Sequence, residues 1–192
     1  MIQTDNFLKV EVSSSTELRA WLEKNHGQME SVWLITFLKI VPEKYLSPTE
    51  VLDELICFGW IDGIRRKLDD SRTMQLISPR RVQHWAKTYK DRAAKLIEEG
   101  KMHEAGYRSI ELSKQSGLWD FMDDVDQLIV PQDLQDELEK HAGAKEFFYA
   151  INDSSKRFVL RWLKLAKTEK TRNARILQLA ELSAKGEKLK GS

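Results

Sequence analysis

The residues able to do chemistry crowd into one stretch, ICFGWIDGIRRKLDDSRTMQLISPRRVQHW, from Ile56 to Trp85. It holds Cys57, Trp60, Asp62, Arg65, Arg66, Arg80, Arg81, His84 and Trp85, punctuated by Gly59, Gly63 and Pro79. Arg80 and Arg81 follow Pro79 at a strand end. Two guanidiniums there make an anion clamp, because forked N–H donors match a carboxylate or phosphate. Trp85, with Trp60 if it lies nearby, would supply a flat apolar wall. Alternatively both arginines pair with the acidic segment that starts at Asp120. Asp62, between Trp60 and Arg65, has two readings as well. A carboxylate held near Trp and Arg can have a shifted pKa and move a proton, or it can simply anchor an arginine.

Other chemistry finds less support. Cys57 sits beside Ile56 and Phe58 on an apolar helix face, where a free Cys acts as a small hydrophobe. The four His, at 26, 84, 103 and 141, have no HxxxH or HxH spacing, so no metal site is expected. GxSxG, GxxxxGK[ST] and GxGxxG are all absent, and nothing calls for a cofactor.

These residues need a scaffold. At 192 residues, with 41% hydrophobic and 32% charged, the chain fits one compact domain or a core domain with a helical extension. Six Trp make a real core affordable despite the many surface charges. A net charge of +1 favours neither nucleic acid nor membrane. The charge is nevertheless segregated: nine acidic and two basic residues lie between Asp120 and Glu146, against eleven basic and three acidic between Ser154 and Lys190. This reads either as complementary helical faces or as a basic surface for an acidic partner. A single Cys excludes an internal disulfide and any CxxC motif. MIQTDNFLKVEV lacks the apolar region of a signal peptide, and no apolar run reaches membrane-spanning length. A soluble, cytoplasmic protein is expected.

Alternation over Phe7–Val12 predicts a short strand, and Ser14 with Glu17 a capping box opening a helix. Val32–Leu38, VWLITFL, reads as a strand buried on both faces. Ser47-Pro48-Thr49-Glu50 starts a second helix, with Val51, Leu52, Leu55 and Ile56 inward and Gly59 as its stop. Trp60–Arg66 and Arg72–Ser78 predict a hairpin turning over Lys67–Ser71. Thereafter the pattern is helical. Tyr89, Ala93, Leu96 and Ile97 face inward on one helix. Met102, Gly106, Ile110 and Ser113 do so on the next, where small residues permit close approach of a neighbour. Phe158, Trp162, Leu165 and Ala166 are expected to form a buried stripe further on, and residues from Lys185 onward to fray. The fold class is therefore α+β: a small N-terminal β-sheet with two helices, followed by a mostly helical C-terminal half. A boundary near Val125–Val130 gives an α+β core over 1–125 and a helical module over 130–190.

The segment AKTEKTRNARI, Ala166 to Ile176, sets Arg172 and Arg175 on one helix face. Without interleaved aromatics it reads as a solvated face rather than a nucleic-acid surface. Taken together, CFGWIDG, KLDD, SPRR with a downstream Trp, LIEEGKMxxAG, VPQDL and AKTEKTRxxRI stand in an order that resembles the YdeI/OmpD-associated, or bacteriocin-protection, family. The resemblance runs from about Phe7 to Lys185, and from about Val130 onward it looks like the family's C-terminal module. It implies a link to tolerance of bacteriocins or cationic antimicrobial peptides and to an outer-membrane porin, and brings no catalytic residues. Family members read Ser-Asn-Trp-Ser after SPRR, whereas this chain has Val82-Gln83-His84-Trp85-Ala86.

The expectation is a non-enzymatic soluble protein that binds a small anionic ligand or a protein partner through Trp60, Asp62, Arg80, Arg81 and Trp85. One alternative is an enzyme on a small phosphorylated or nucleotide-like substrate, with Asp62 as base. A second is nucleic-acid binding through the basic C-terminal helices.

Overall fold

The apolar run Val32–Phe37 forms a strand with five of its six residues buried, as its β-branched and aromatic composition demands. The structure is a computed structural model and describes residues 6–81 and 83–192. The sheet is built from β1 (Lys9–Glu11), β2 (Val32–Phe37), β3 (Trp60–Lys67) and β4 (Arg72–Pro79), in the order β1-β2-β4-β3. β1 and β2 are parallel, joined through α1 (Ser15–Asn25), while β4 is antiparallel to both neighbours. The expected N-terminal strand is shorter than its alternation suggested: the paired register with β2 covers Lys9–Glu11, and Leu8 O and Val12 N extend it by one hydrogen bond at each end.

β3 shifts register between Asp62 and Arg65, which pair with Ile77 and Gln75. Gly63 lies in this bulge, and its α-carbon faces the Leu76 carbonyl so closely that a Cβ would sit 3.1 Å from that oxygen. Such an irregularity re-aims the side chains around it. The turn back into β4 is held by Asp69, which accepts from Ser71 N, Ser71 Oγ, Arg72 N and Arg72 Nε.

α2 (Pro48–Cys57) opens with a complete capping box: Glu50 N donates to Ser47 Oγ at 3.2 Å and Ser47 N donates to Glu50 Oε2 at 2.9 Å. The box expected for α1 forms in half. Glu17 N donates to Ser14 Oγ, but the Glu17 carboxylate reaches Ser13 instead, accepting from its N and Oγ. Val51, Leu55, Ile56 and Cys57 of α2 are buried with Leu18 and Leu22 of α1, Leu34 of β2 and Ile77 of β4. α3 (Lys87–Glu98) and α4 (Glu104–Gln115) complete this unit, adding Ala93, Leu96 and Ile110 to the core.

The first compact unit ends at Asp120 and the second is Phe121–Ser192. The division falls ahead of the expected Val125–Val130 boundary because Met122 and Val125 are buried in the second core. That unit is all helical: α5 (Asp123–Asp126), α6 (Gln132–Glu139), α7 (Ala144–Ala150), α8 (Asp153–Lys164) and α9 (Glu169–Ala184). α8 presents a different face from the one its aromatics implied. Ser155, Val159, Leu160 and Leu163 are buried, whereas Phe158 and Leu165 are exposed. Two stripes at helical spacing competed, and the aliphatic one took the core. The tail beyond Lys185 does not fray: Leu189 packs on the second core and Lys188 Nζ donates to Ser155 Oγ.

Candidate functional site

Arg80 leaves the sheet at the end of β4, where its backbone N donates to Gly59 O at 2.8 Å. Gly59 closes α2 with φ 69°, a left-handed conformation that suits glycine. This junction of helix end and strand end sets the direction of the Arg80 side chain. Its guanidinium carbon lies 4.0 Å from the Trp85 ring centre and 5.4 Å from that of Tyr89 on α3. Trp85 is a rigid platform. It is buried, its indole N–H donates to Ser113 Oγ on α4 at 2.8 Å, and its ring packs against Trp119.

Asp62 is drawn into the same cluster by the bulge in β3. One carboxylate oxygen accepts from the Tyr89 hydroxyl in a short hydrogen bond. The other accepts from Gln75 Nε2 at 3.2 Å, and Arg65 Nη2 donates to Gln75 Oε1 at 2.6 Å. Burial pushes the Arg80 guanidinium down to about 10, against the opposing pull of Tyr89 and Asp62. Burial, followed by the hydrogen bond to Asp62, pushes the Tyr89 phenol up to about 12. Among the described residues, the buried Arg80 Nη1 has no hydrogen-bond acceptor. Beside the cluster, a cleft of about 180 Å³ opens between the first turns of α2, at Thr49 and Leu52, and the side chains of Asp62, Arg65 and Gln75.

Of the five residues expected to make contacts, Asp62, Arg80 and Trp85 come together. Trp60 does not join them. It is fully buried, stands edge-on to Trp21 at 5.5 Å, and its indole N–H donates to His26 O. Arg81 is exposed. Sequence reasoning missed Tyr89, Gln75 and Arg65. Tyr89 carried a usable signal, since an inward-facing Tyr needs a partner for its hydroxyl. Cys57 is buried and its thiol is pushed up to about 11, chiefly by burial. No group of three or more His, Cys, Asp or Glu able to hold a metal occurs among the described residues.

The basic C-terminal motif is engaged within its own unit. Thr168 Oγ1 accepts from Thr171 N and so caps α9. Arg172 makes a forked pair with Asp133, at 2.6 and 2.9 Å. Arg175 lies over the Trp162 ring and donates to Trp162 O.

Comparison with known proteins divides the chain along similar lines. Residues 127–186 match the family model described as Bacteriocin-protection, YdeI or OmpD-Associated. Residues 10–109, just over half of the chain, match that of a Domain of unknown function (DUF8412). The chain belongs to that domain family, and its C-terminal part is similar to the YdeI/OmpD-associated family. The match to the YdeI/OmpD-associated family is thus confined to the C-terminal part, where VPQDL and AKTEKTR lie. CFGWIDG, KLDD and SPRR fall within the other domain. No curated protein and no solved structure matches the chain. Among the described residues no helix is long and apolar enough to cross a membrane.

Proposed function

We propose that this is a non-enzymatic binding protein whose N-terminal unit takes a small anionic ligand at Arg80, and that it serves in stress or antimicrobial-peptide tolerance. The second part of the reading rests on the name of the family matched by the C-terminal module. The first rests on one observation: Arg80 is largely withdrawn from water, stacked on Trp85, and has a buried donor without an acceptor among the described residues. A charged donor left unsatisfied costs more than a neutral one, on the order of several kcal/mol, and an anion that accepts from the guanidinium offsets that cost. The aromatic platform holds the fork in place, so little side-chain entropy is lost on binding.

Asp62 argues against the enzyme reading. Both of its oxygens already accept hydrogen bonds, from Tyr89 and Gln75, which suits an anchor better than a base. Arg172 and Arg175 are likewise engaged inside their own unit, which counts against a nucleic-acid surface there. A protein partner presenting a carboxylate or phosphate satisfies the same chemistry as a free anion.

A thermal-shift screen with phosphate, sulfate, citrate and nucleotides tests this reading. At least one anion raises the melting temperature of the wild type. That rise is lost in Arg80→Gln and kept in Arg81→Gln. An anion response equal in the wild type and Arg80→Gln, or none at all, contradicts it. Turnover of a stabilising ligand that vanishes in Asp62→Asn would favour the enzyme instead.

A further inference from the structure

The second unit contains a cavity of about 140 Å³ whose lining mixes opposite charges with an aliphatic wall. Its cations are Lys164, from the end of α8, and Arg172, from the first turns of α9. Lys164 Nζ pairs with Asp124 of α5, which also lines the cavity, and Arg172 pairs with Asp133 of α6. Asp124 also lies within electrostatic reach of Arg172. The wall is Val125, Ile129, Leu160 and Leu163. The loop carrying Ile129 is fixed by backbone hydrogen bonds: Leu128 N donates to Val125 O and Ile129 N donates to Asp124 O. That is the Schellman pattern, with Leu128 at φ 59° where glycine is the usual residue. Asp124 and Ile129 are therefore held on positioned backbone.

The charge balance selects the ligand. Asp124 and Asp133 offset Lys164 and Arg172, so the paired site is neutral. A free monocarboxylate at Lys164 or Arg172 would add an unbalanced negative charge to this paired, partly buried site, which is costly. An amine would add an unbalanced positive charge in the same way. A molecule carrying both charges exchanges without imbalance, its carboxylate going to the cations and its ammonium to Asp124. The aliphatic wall asks for an apolar tail. The volume suits a small side chain, since an apolar cavity of roughly 150 Å³ admits benzene. We propose that this cavity is a binding site for a free aliphatic α-amino acid of the size of valine or leucine.

Calorimetric titration of the full chain with L-leucine and L-valine tests the proposal, with isocaproate as the analogue lacking the ammonium and isoamylamine as the one lacking the carboxylate. Leucine or valine binds and raises the melting temperature. Each analogue binds about tenfold weaker or less, the scale of one lost charge-assisted hydrogen bond. Ile129 is an exposed residue of the wall, so Ile129→Trp fills the cavity without touching an ion pair. It abolishes binding while the helical circular-dichroism signal is kept. Lys164→Met provides a second variant and weakens amino-acid binding by a similar factor. The proposal is overturned by no binding of either amino acid, by isocaproate binding as tightly as leucine, or by unchanged affinity in a folded Ile129→Trp.

Discussion

Arg80, Trp85, Tyr89 and Asp62 bring charge, aromatic surface and burial together in the N-terminal unit. Tyr89 reports on it directly. Its folded pKa, pushed up to about 12, lies above the ordinary phenol value. The native state thus keeps a proton that the unfolded chain gives up near pH 10. The contribution of Tyr89 is fully present below pH ~10 and is lost as pH rises through its folded pKa. An ultraviolet titration is expected to find a phenol ionising above the ordinary range, and Tyr89→Phe to remove that late step. Cys57 gives a second residue-level outcome. Buried, and with its thiol pushed up to about 11, it stays protonated at neutral pH. A thiol reagent should label it at the rate of unfolding rather than at the rate of a free thiol. Three of the four residues in this cluster were legible in sequence. Arg80, Trp85 and Asp62 stood out as costly residue types in one run, and the placement of Cys57 on an apolar face was readable as well. The contacts of Tyr89 and Gln75 with Asp62 were not, because only the bulge in β3 and the docking of α3 bring these separate elements together.

At the scale of elements, α4 packs closely against the end of α2 at Gly106. A Cβ on Gly106 would stand 2.4 Å from the Cys57 carbonyl oxygen and 2.3 Å from Met102 Sδ. Gly106→Ala is therefore expected to push the helices apart at a cost of about 1–3 kcal/mol, read as a lowered midpoint in urea with the slope unchanged. Ser47→Ala removes the acceptor of a complete capping box and should cost about 1 kcal/mol by the same measurement. Both sites were readable beforehand, since small residues at helical spacing and a Ser-Pro-Thr-Glu start are local signals. The face of α8 was not. Phe158 and Trp162 repeat at the same spacing as Val159 and Leu163, and spacing alone cannot choose between two stripes. The choice was made by what the rest of the core could enclose.

The whole chain carries two separate cores, one under the sheet and one among the C-terminal helices. Phe121–Ser192 expressed alone is expected to fold, giving a helical spectrum and a cooperative melt. A chain that stays unfolded would show that its core needs the N-terminal unit. The fold class was legible because alternation, helical spacing and caps are local. The exact division was not, because Met122 and Val125 join the second core through contacts that no local pattern encodes. The claim on which the functional account rests is that Arg80 receives an anion. The most direct measurement is a proton–nitrogen correlation spectrum of the arginine and indole N–H groups, followed during titration with the most stabilising anion. The account predicts saturable shifts of the Arg80 side-chain and Trp85 indole resonances with a common affinity. Resonances of Arg80 and Trp85 that stay still while the anion binds elsewhere would contradict it.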